Sequence, residues 1–127
     1  MDANRLKQLP LFENVPDEDL QKIAPFVAEV SVSEGKPLVE EGDYSYEFMA
    51  IEEGTADVKR GGETLATLGP GDFFGEMGLV EKDRRNATVV ATSPMRLITL
   101  SSWDVKRLEK LIPTAAARIR EAIEARR

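Results

Sequence analysis

From Phe73 to Ala91 the chain reads F-F-G-E-M-G-L-V-E-K-D-R-R-N-A-T-V-V-A, which sets a glycine-flanked carboxylate shortly before a pair of guanidinium groups. Gly75, Glu76, Met77 and Gly78 can open a single helical turn, whose unpaired N–H groups and positive dipole end suit an anion. Arg85 can supply the counter-charge. A carboxylate beside that anion site would repel a phosphate, so Glu76 is better explained as the acceptor for a sugar hydroxyl. Together these residues ask for a ribose phosphate. The plainer alternative makes Gly75 and Gly78 turn glycines, with Glu76 and Arg85 an ion pair at the surface that contributes little.

The elements that must position this segment are legible from periodicity. Residues 4–27 read as a helical lead-in, in which Val15-Pro16-Asp17-Glu18-Asp19 carries helix-start chemistry and Leu20, Ile23, Ala24 and Val27 follow at helical spacing. Pro25 should end or kink that helix. From Ala28 to Leu100 the period changes to two, in short runs such as Glu29–Val32, Phe48–Ile51 and Arg96–Leu100. Gly35-Lys36-Pro37, Glu41-Gly42-Asp43, Glu53-Gly54, Gly61-Gly62 and Gly69-Pro70-Gly71 punctuate them, and the Gly61-Gly62 pair signals a tight hairpin serving as a plain connector. After Leu100 the pattern returns to helix, with Ser101-Ser102 as N-cap before Trp103, Val105, Leu108 and Leu111 or Ile112. Pro113-Thr114 breaks it, and Ala115, Ile119, Ala122, Ile123 and Arg126 form a last amphipathic stretch. The expected fold is mainly β with flanking helices, a jelly-roll-like β-barrel. All 127 residues form one domain, with helices over 1–27, the barrel over 28–100 and helices over 101–127.

F-G-E-M-G-L followed by R-N-A-T-V resembles the phosphate-binding cassette of cyclic nucleotide-binding domains, here spanning 73–89. Glu41-Gly42-Asp43, Ile51 to Val58 around Gly54, and Leu68-Gly69-Pro70-Gly71-Asp72 resemble the same family's strands and turns, so the likeness covers residues 10 to 112. The resemblance implies that Glu76 binds the ribose 2'-hydroxyl and that Arg85 binds the cyclic phosphate, together with the amides of Gly78, Asn86 and Ala87. It also implies that Val58, Leu65 and Leu68, and Val89 with them, lie against the purine, although core packing alone would explain all four. Many cyclic GMP sites of the family carry Ser or Thr after the cassette arginine and many cyclic AMP sites carry Ala. Asn86 matches neither, and the missing hydroxyl leans toward cyclic AMP, with cyclic GMP as the alternative. Arg84 stands where proline often precedes the arginine. Leu79 would alter its packing against the helix from Trp103 to Ile112 when ligand binds. The last helix would then cap the base, with Arg118, Arg120, Arg126 or Arg127 available to stack on it or to balance Glu121 and Glu124 on a solvated face.

Composition narrows the remaining classes. The chain has no cysteine and no histidine, which removes the usual ligands of a metal-dependent barrel enzyme and the commonest general base. Its net charge of -6 and pI near 4.8 argue against a nucleic-acid partner. With no apolar run of membrane-spanning length and no signal-peptide pattern after Met1, which reads as an authentic start, a cytoplasmic location is expected. An end at Arg126-Arg127 on an unfinished helix is compatible with truncation. The leading function is therefore a sensor without catalytic activity or cofactor. It would bind a small cyclic nucleotide and act on an effector protein or domain, with a homodimer through the C-terminal helix as a further option. Two alternatives remain: a vestigial pocket on a structural or protein-interaction module, and a sugar-phosphate enzyme using Glu76 with Asp43, Asp72 or Asp83.

Overall fold

The computed structural model describes residues 2–40, 47–74 and 87–125. They group into two compact units, Met1–Ala28 with Leu100–Arg127, and Glu29–Thr99.

The second unit is built of strands. They are β1 (Ala28–Val32), β2 (Pro37–Val39), β3 (Glu47–Glu53), β4 (Ala56–Arg60), β5 (Glu63–Leu68), β6 (Phe73–Phe74), β7 (Thr88–Ala91) and β8 (Met95–Ser101). They form two four-stranded sheets, in the orders β1-β8-β3-β6 and β2-β7-β4-β5. The expectation of a mainly β, jelly-roll-like fold is met by these two antiparallel sheets and their flanking helices. In β7 the alternation is clean, since Val89 and Ala91 are buried while Thr88 and Val90 are only half-buried. Ile51, Ala56, Phe74, Val89, Ala91, Met95 and Leu97 come from both sheets and make one buried cluster. Val32, Leu38, Val39, Met49, Val58 and Leu68 pack around it.

Turn chemistry sets the register. Gly61 and Gly62 have φ of 58° and 84°, the two consecutive positive values of a tight hairpin turn, and they sit between the paired residues Arg60 and Glu63. Gly54 has a different task. Its φ is 93°, and a Cβ placed there would lie 2.4 Å from the Pro94 carbonyl oxygen and 2.8 Å from Met95 Cγ. The β3–β4 turn is thus pressed against the β7–β8 turn. Hydrogen bonds fasten the contact: Thr55 N donates to Ser93 Oγ at 3.0 Å, Thr92 N donates to the Thr55 carbonyl at 2.9 Å, and the Thr55 and Thr92 hydroxyls meet at 2.8 Å. On the other sheet, Arg96 of β8 faces Glu29 of β1 at 3.4 Å and Glu53 of β3 at 3.3 Å, one cation tying together strands on either side of its own.

The helical unit starts with α1 (Ala3–Lys7), whose N-cap Asp2 accepts from Asn4 N at 2.8 Å, and continues through a 3-10 turn at Pro10–Phe12. α2 (Asp17–Ile23) opens on Asp17, Glu18 and Asp19, which favour its positive end. It gives way to a 3-10 turn at Ala24–Phe26, where Pro25 has no N–H to continue the ladder. α3 (Ser102–Leu111) is capped by Ser101, whose Oγ accepts from Asp104 N at 3.1 Å. α4 (Pro113–Ala125) begins at once, because proline is tolerated in a first turn. Ile112 N still donates to the Leu108 carbonyl at 2.8 Å, and Ala116 N donates to that of Ile112 at 3.0 Å. Leu108, Ile112, Ala115, Ala116 and Ile119 are buried, and Glu109 and Arg120 pair across the elbow. α4 also packs on the Pro10–Phe12 turn, where Leu11 and Phe12 are buried. Among the described residues, no helix is long and apolar enough to cross a membrane.

One expectation needs correcting. Trp103 and Leu111 are exposed, at 61% and 62%, whereas Leu108 and Ile112 are buried. A helix this short buries a single stripe, and with 100° per residue Leu108 and Ile112 lie on the side away from Trp103.

Gly54→Ala should lower stability by about 2 to 4 kcal/mol, combining a strained positive φ with a backbone clash that cannot relax by a rotamer change. Urea unfolding measures it, and a midpoint equal to that of the unsubstituted chain would show that the two turns do not meet. Gly61→Ala, with nothing within 4 Å of the new Cβ, should cost distinctly less.

Candidate functional site

Residues 75–86, expected to carry the ribose-phosphate chemistry, follow β6 and precede β7 in the chain. Gly75, Glu76, Met77, Gly78, Leu79, Arg84, Arg85 and Asn86 lie outside the described residues, as do Asp43 and Asp83, so the site is seen through its supports.

The entry is fixed by the turn before it. Gly69 N donates to Asp72 Oδ2 at 2.9 Å, and Asp72 N returns to the Gly69 carbonyl at 3.0 Å. Gly71, with φ of 91°, donates its N–H to the Ile51 carbonyl at 2.9 Å, and Ile51 N donates to the Asp72 carbonyl at 2.8 Å. This closed turn delivers Phe73 opposite Ala50 and Phe74 opposite Met49. Asp72, named above as an acid for an enzymatic reading, is occupied in holding this turn.

The exit is held from both sides. β7 pairs with β4 through Thr88–Lys59, Val89–Val58, Val90–Asp57 and Ala91–Ala56, and with β2 through Val89–Val39 and Val90–Pro37. Past the end of β2's ladder, Gly35 N donates to the Ala91 carbonyl at 2.7 Å and Ala91 N donates to that of Lys36 at 3.0 Å. Ala87, the last residue before β7, is 8% exposed. Phe74 and Val89 belong to the same buried cluster although their strands lie in different sheets. Phe74, before residues 75–86, and Val89, after them, are therefore held in one core from different sheets.

The apolar residues expected near a base separate into two groups. Val58 is paired with both Val89 and Ala66, and Leu68 is paired with Ala56; each packs on the buried cluster, Val58 from the strand next to β7 and Leu68 from the one beyond it. Leu65 is 48% exposed and falls where the β4–β5 register shifts, Val58 pairing with Ala66 and Lys59 with Thr64. It is the extra residue of a β-bulge, a feature that re-aims a side chain away from the regular ladder. Sequence periodicity treats it like its neighbours, because a bulge depends on the partner strand. Gly54, Thr55, Thr92 and Ser93 were equally missed as supports of the exit strand. A glycine-threonine turn and a threonine-serine pair distant in sequence carry no mutual signal. Of the arginines expected near a base, Arg118 and Arg120 are exposed, Arg120 is paired with Glu109, and Arg126 and Arg127 lie outside the described residues.

Among the described residues no group of three or more acidic side chains is placed to hold a metal ion. The described frame is a pair of strands, β6 and β7, that lie in different sheets and stand on either side of residues 75–86 in sequence.

A family model described as cyclic nucleotide-binding domain matches residues 29–110. The cAMP-dependent protein kinase regulatory subunit of Schizosaccharomyces pombe is 34% identical over 104 residues, which cover 81% of this chain and 25% of that protein. The crystal structure of Thermus thermophilus catabolite activator protein is 30% identical with a TM-score of 0.79, covering 92% of this chain and 57% of that one. The N-terminal domain of a transcriptional regulator from Streptomyces coelicolor A3(2) is 28% identical with a TM-score of 0.82, covering 98% of this chain and 90% of that one. The chain spans about a quarter of the length of the fungal regulatory subunits it matches. With the match running from β1 through most of α3 and taking in residues 75–86, the chain belongs to the cyclic nucleotide-binding domain family.

Proposed function

We propose that this chain binds cyclic AMP reversibly and acts as a regulatory sensor, performing no chemistry of its own and passing ligand binding on through α3 and α4. The observation that carries the reading is the anchoring of both ends of the 75–86 segment in one buried cluster. A binding loop fixed at both ends pays little ordering entropy when an anion arrives. Within it, Arg85 is the counter-charge to the cyclic phosphate, the amides of Gly78, Asn86 and Ala87 donate to its oxygens, and Glu76 accepts from the ribose 2'-hydroxyl, with Gly75 and Met77 shaping the turn. Val58, Leu68 and the exposed Leu65 offer the base apolar surface. The S. pombe relative is named for dependence on cAMP, which supports this nucleotide over its guanine counterpart, as does the lack of a hydroxyl at Asn86.

Each charge-assisted hydrogen bond contributes roughly 1.5–3 kcal/mol, so two or three of them exceed the few kcal/mol that separate typical helix positions. Binding is then sufficient to shift the C-terminal helices, whose elbow at Ile112 and Pro113 is a short connection held by Leu108, Ala115, Ala116 and Ile119 and by the Glu109–Arg120 pair. The regulated effector lies in a protein or domain other than this module, and the site of action is the cytoplasm.

Isothermal titration of nucleotide-free protein should give micromolar or tighter binding of cyclic AMP and weaker binding of cyclic GMP. Arg85→Ala should weaken cyclic AMP by about 2 to 4 kcal/mol, since the phosphate charge loses its fixed partner in a partly desolvated site. Affinity unchanged in that variant would refute the assigned role, and no binding by the unsubstituted protein would leave the module a structural or protein-contact domain. Glu76→Ala should abolish most of the preference for cyclic AMP over its 2'-deoxy analogue, so a preserved preference counts against the hydroxyl contact. Leu79→Ala separates sensing from transmission: titrations should still show binding, while the ligand-induced change in Trp103 fluorescence shrinks.

A further inference from the structure

Each of the two sheets ends in two edge strands, and an edge offers a row of backbone N–H and C=O groups to any strand that approaches. Three of the four edges are blunted. β6 is two residues long. β2 is three residues long, opens on Pro37 and has a register shift between Pro37 and Val39. β5 carries the bulge opposite Val58 and Lys59. β1, at the end of the sheet β1-β8-β3-β6, is different: its five residues, A-E-V-S-V, include no proline, lysine or arginine. Among the described residues it pairs with β8 alone, and residues 28–31 are exposed. Its one charge is engaged on its own sheet, Glu29 meeting Arg96 of β8 at 3.4 Å. Val32 packs on the buried cluster, and by alternation Ala28 and Val30 lie on that same side, where Val30 is 39% exposed. Glu29 and Ser31 lie on the other side.

We propose that β1 is a homodimerisation edge, pairing antiparallel with β1 of a second copy of this chain about a two-fold axis through Val30. In that register Val30 stands opposite its own counterpart, Ala28 opposite Val32, and Glu29 opposite Ser31. Apolar residues thus meet apolar ones on the core side, and each carboxylate meets a hydroxyl on the other. Charge selects this arrangement. A parallel pair in register would set the two Glu29 side chains directly opposite each other, whereas the antiparallel pair leaves them diagonal, each beside its own Arg96. A second copy is the occupant that brings the same uncovered edge, so one two-fold contact satisfies both. Val30, at the open margin of the core, passes out of water when its counterpart covers it. A ladder of five residues is small beside a standard interface, so the dimer exchanges with monomer and dissociates on dilution.

Sedimentation equilibrium of the intact protein from about 10 μM to about 1 mM should show monomer passing into dimer and no larger species, because a two-fold pairing uses up both edges. Val30→Lys sets two ammonium groups face to face at the axis and should keep the protein monomeric over that range, with circular dichroism and melting like those of the parent. The chain has no cysteine, so Val30→Cys places a single thiol on the axis. Directly opposed Cα atoms of an antiparallel pair, about 4.5–5.5 Å apart, fall within the span of a disulfide. Under a mild oxidant this variant should cross-link to dimer about tenfold faster or more than Leu65→Cys on the exposed but bulged edge β5, because pairing raises the local concentration of the two thiols. The cysteine variants read the contact even where Val30→Lys disturbs the fold. A protein still monomeric at about 1 mM, a dimer that persists in folded Val30→Lys, or cross-linking as fast at Leu65 as at Val30 overturns the proposal. None of these readouts requires nucleotide, so the outcome stands apart from that of the cyclic AMP titrations.

Discussion

The buried cluster of Ile51, Ala56, Phe74, Val89, Ala91, Met95 and Leu97 is the constraint on which the rest of the β unit depends. Neither sheet can bury its inner face alone, and side chains from both must interdigitate to remove that surface from water. The consequence reaches beyond stability. Phe74 and Val89 belong to the same cluster yet lie on opposite sides of residues 75–86 in sequence, so the packing that closes the core also holds the strands on either side of that segment.

Turns complete that arrangement by two different physical routes. Gly61 and Gly62 act locally, supplying the backbone twist that a two-residue hairpin needs, in open space. Gly54 acts at long range, since the absence of a Cβ lets the Pro94 carbonyl approach and brings Thr55 into hydrogen-bond reach of Thr92 and Ser93. That clasp holds the end of β7, the strand that follows residues 75–86 in the chain. The bulge at Leu65 is a third local departure, set in a strand whose residues Glu63 to Thr67 are all exposed.

Electrostatics operates locally in this chain. A net charge of -6 describes the average field, but Arg96 sits among Glu29, Glu52 and Glu53, Arg120 meets Glu109, and Lys106, Arg107 and Lys110 gather on one face of α3. Screening confines each group to its own surroundings, so the average field of an acidic chain does not decide the charge at any one place.

Much of this was legible in the sequence, and the reason is locality. The change of period at Ala28 and Leu100, the acidic start of α2, the stop at Pro25, the Ser101 cap and the Gly61–Gly62 hairpin all follow from preferences that act within a few residues. The order of Gly75, Glu76, Gly78 and Arg85 in one short segment is what raised the expectation of ribose-phosphate chemistry, because a single helix-opening turn and one cation are themselves local; all four lie outside the described residues. The sequence alone could not decide which of two apolar sets on α3 is buried, since Trp103 with Leu111 and Leu108 with Ile112 are each compatible with a helix. Packing of α3 and α4 in the helical unit chose Leu108 and Ile112 and left Trp103 and Leu111 in water. The bulge at Leu65, the clasp on Gly54 and the sharing of one core by Phe74 and Val89 were likewise decided only by tertiary structure. Each joins residues distant in the chain, and periodicity records no energy for a contact whose partner is elsewhere.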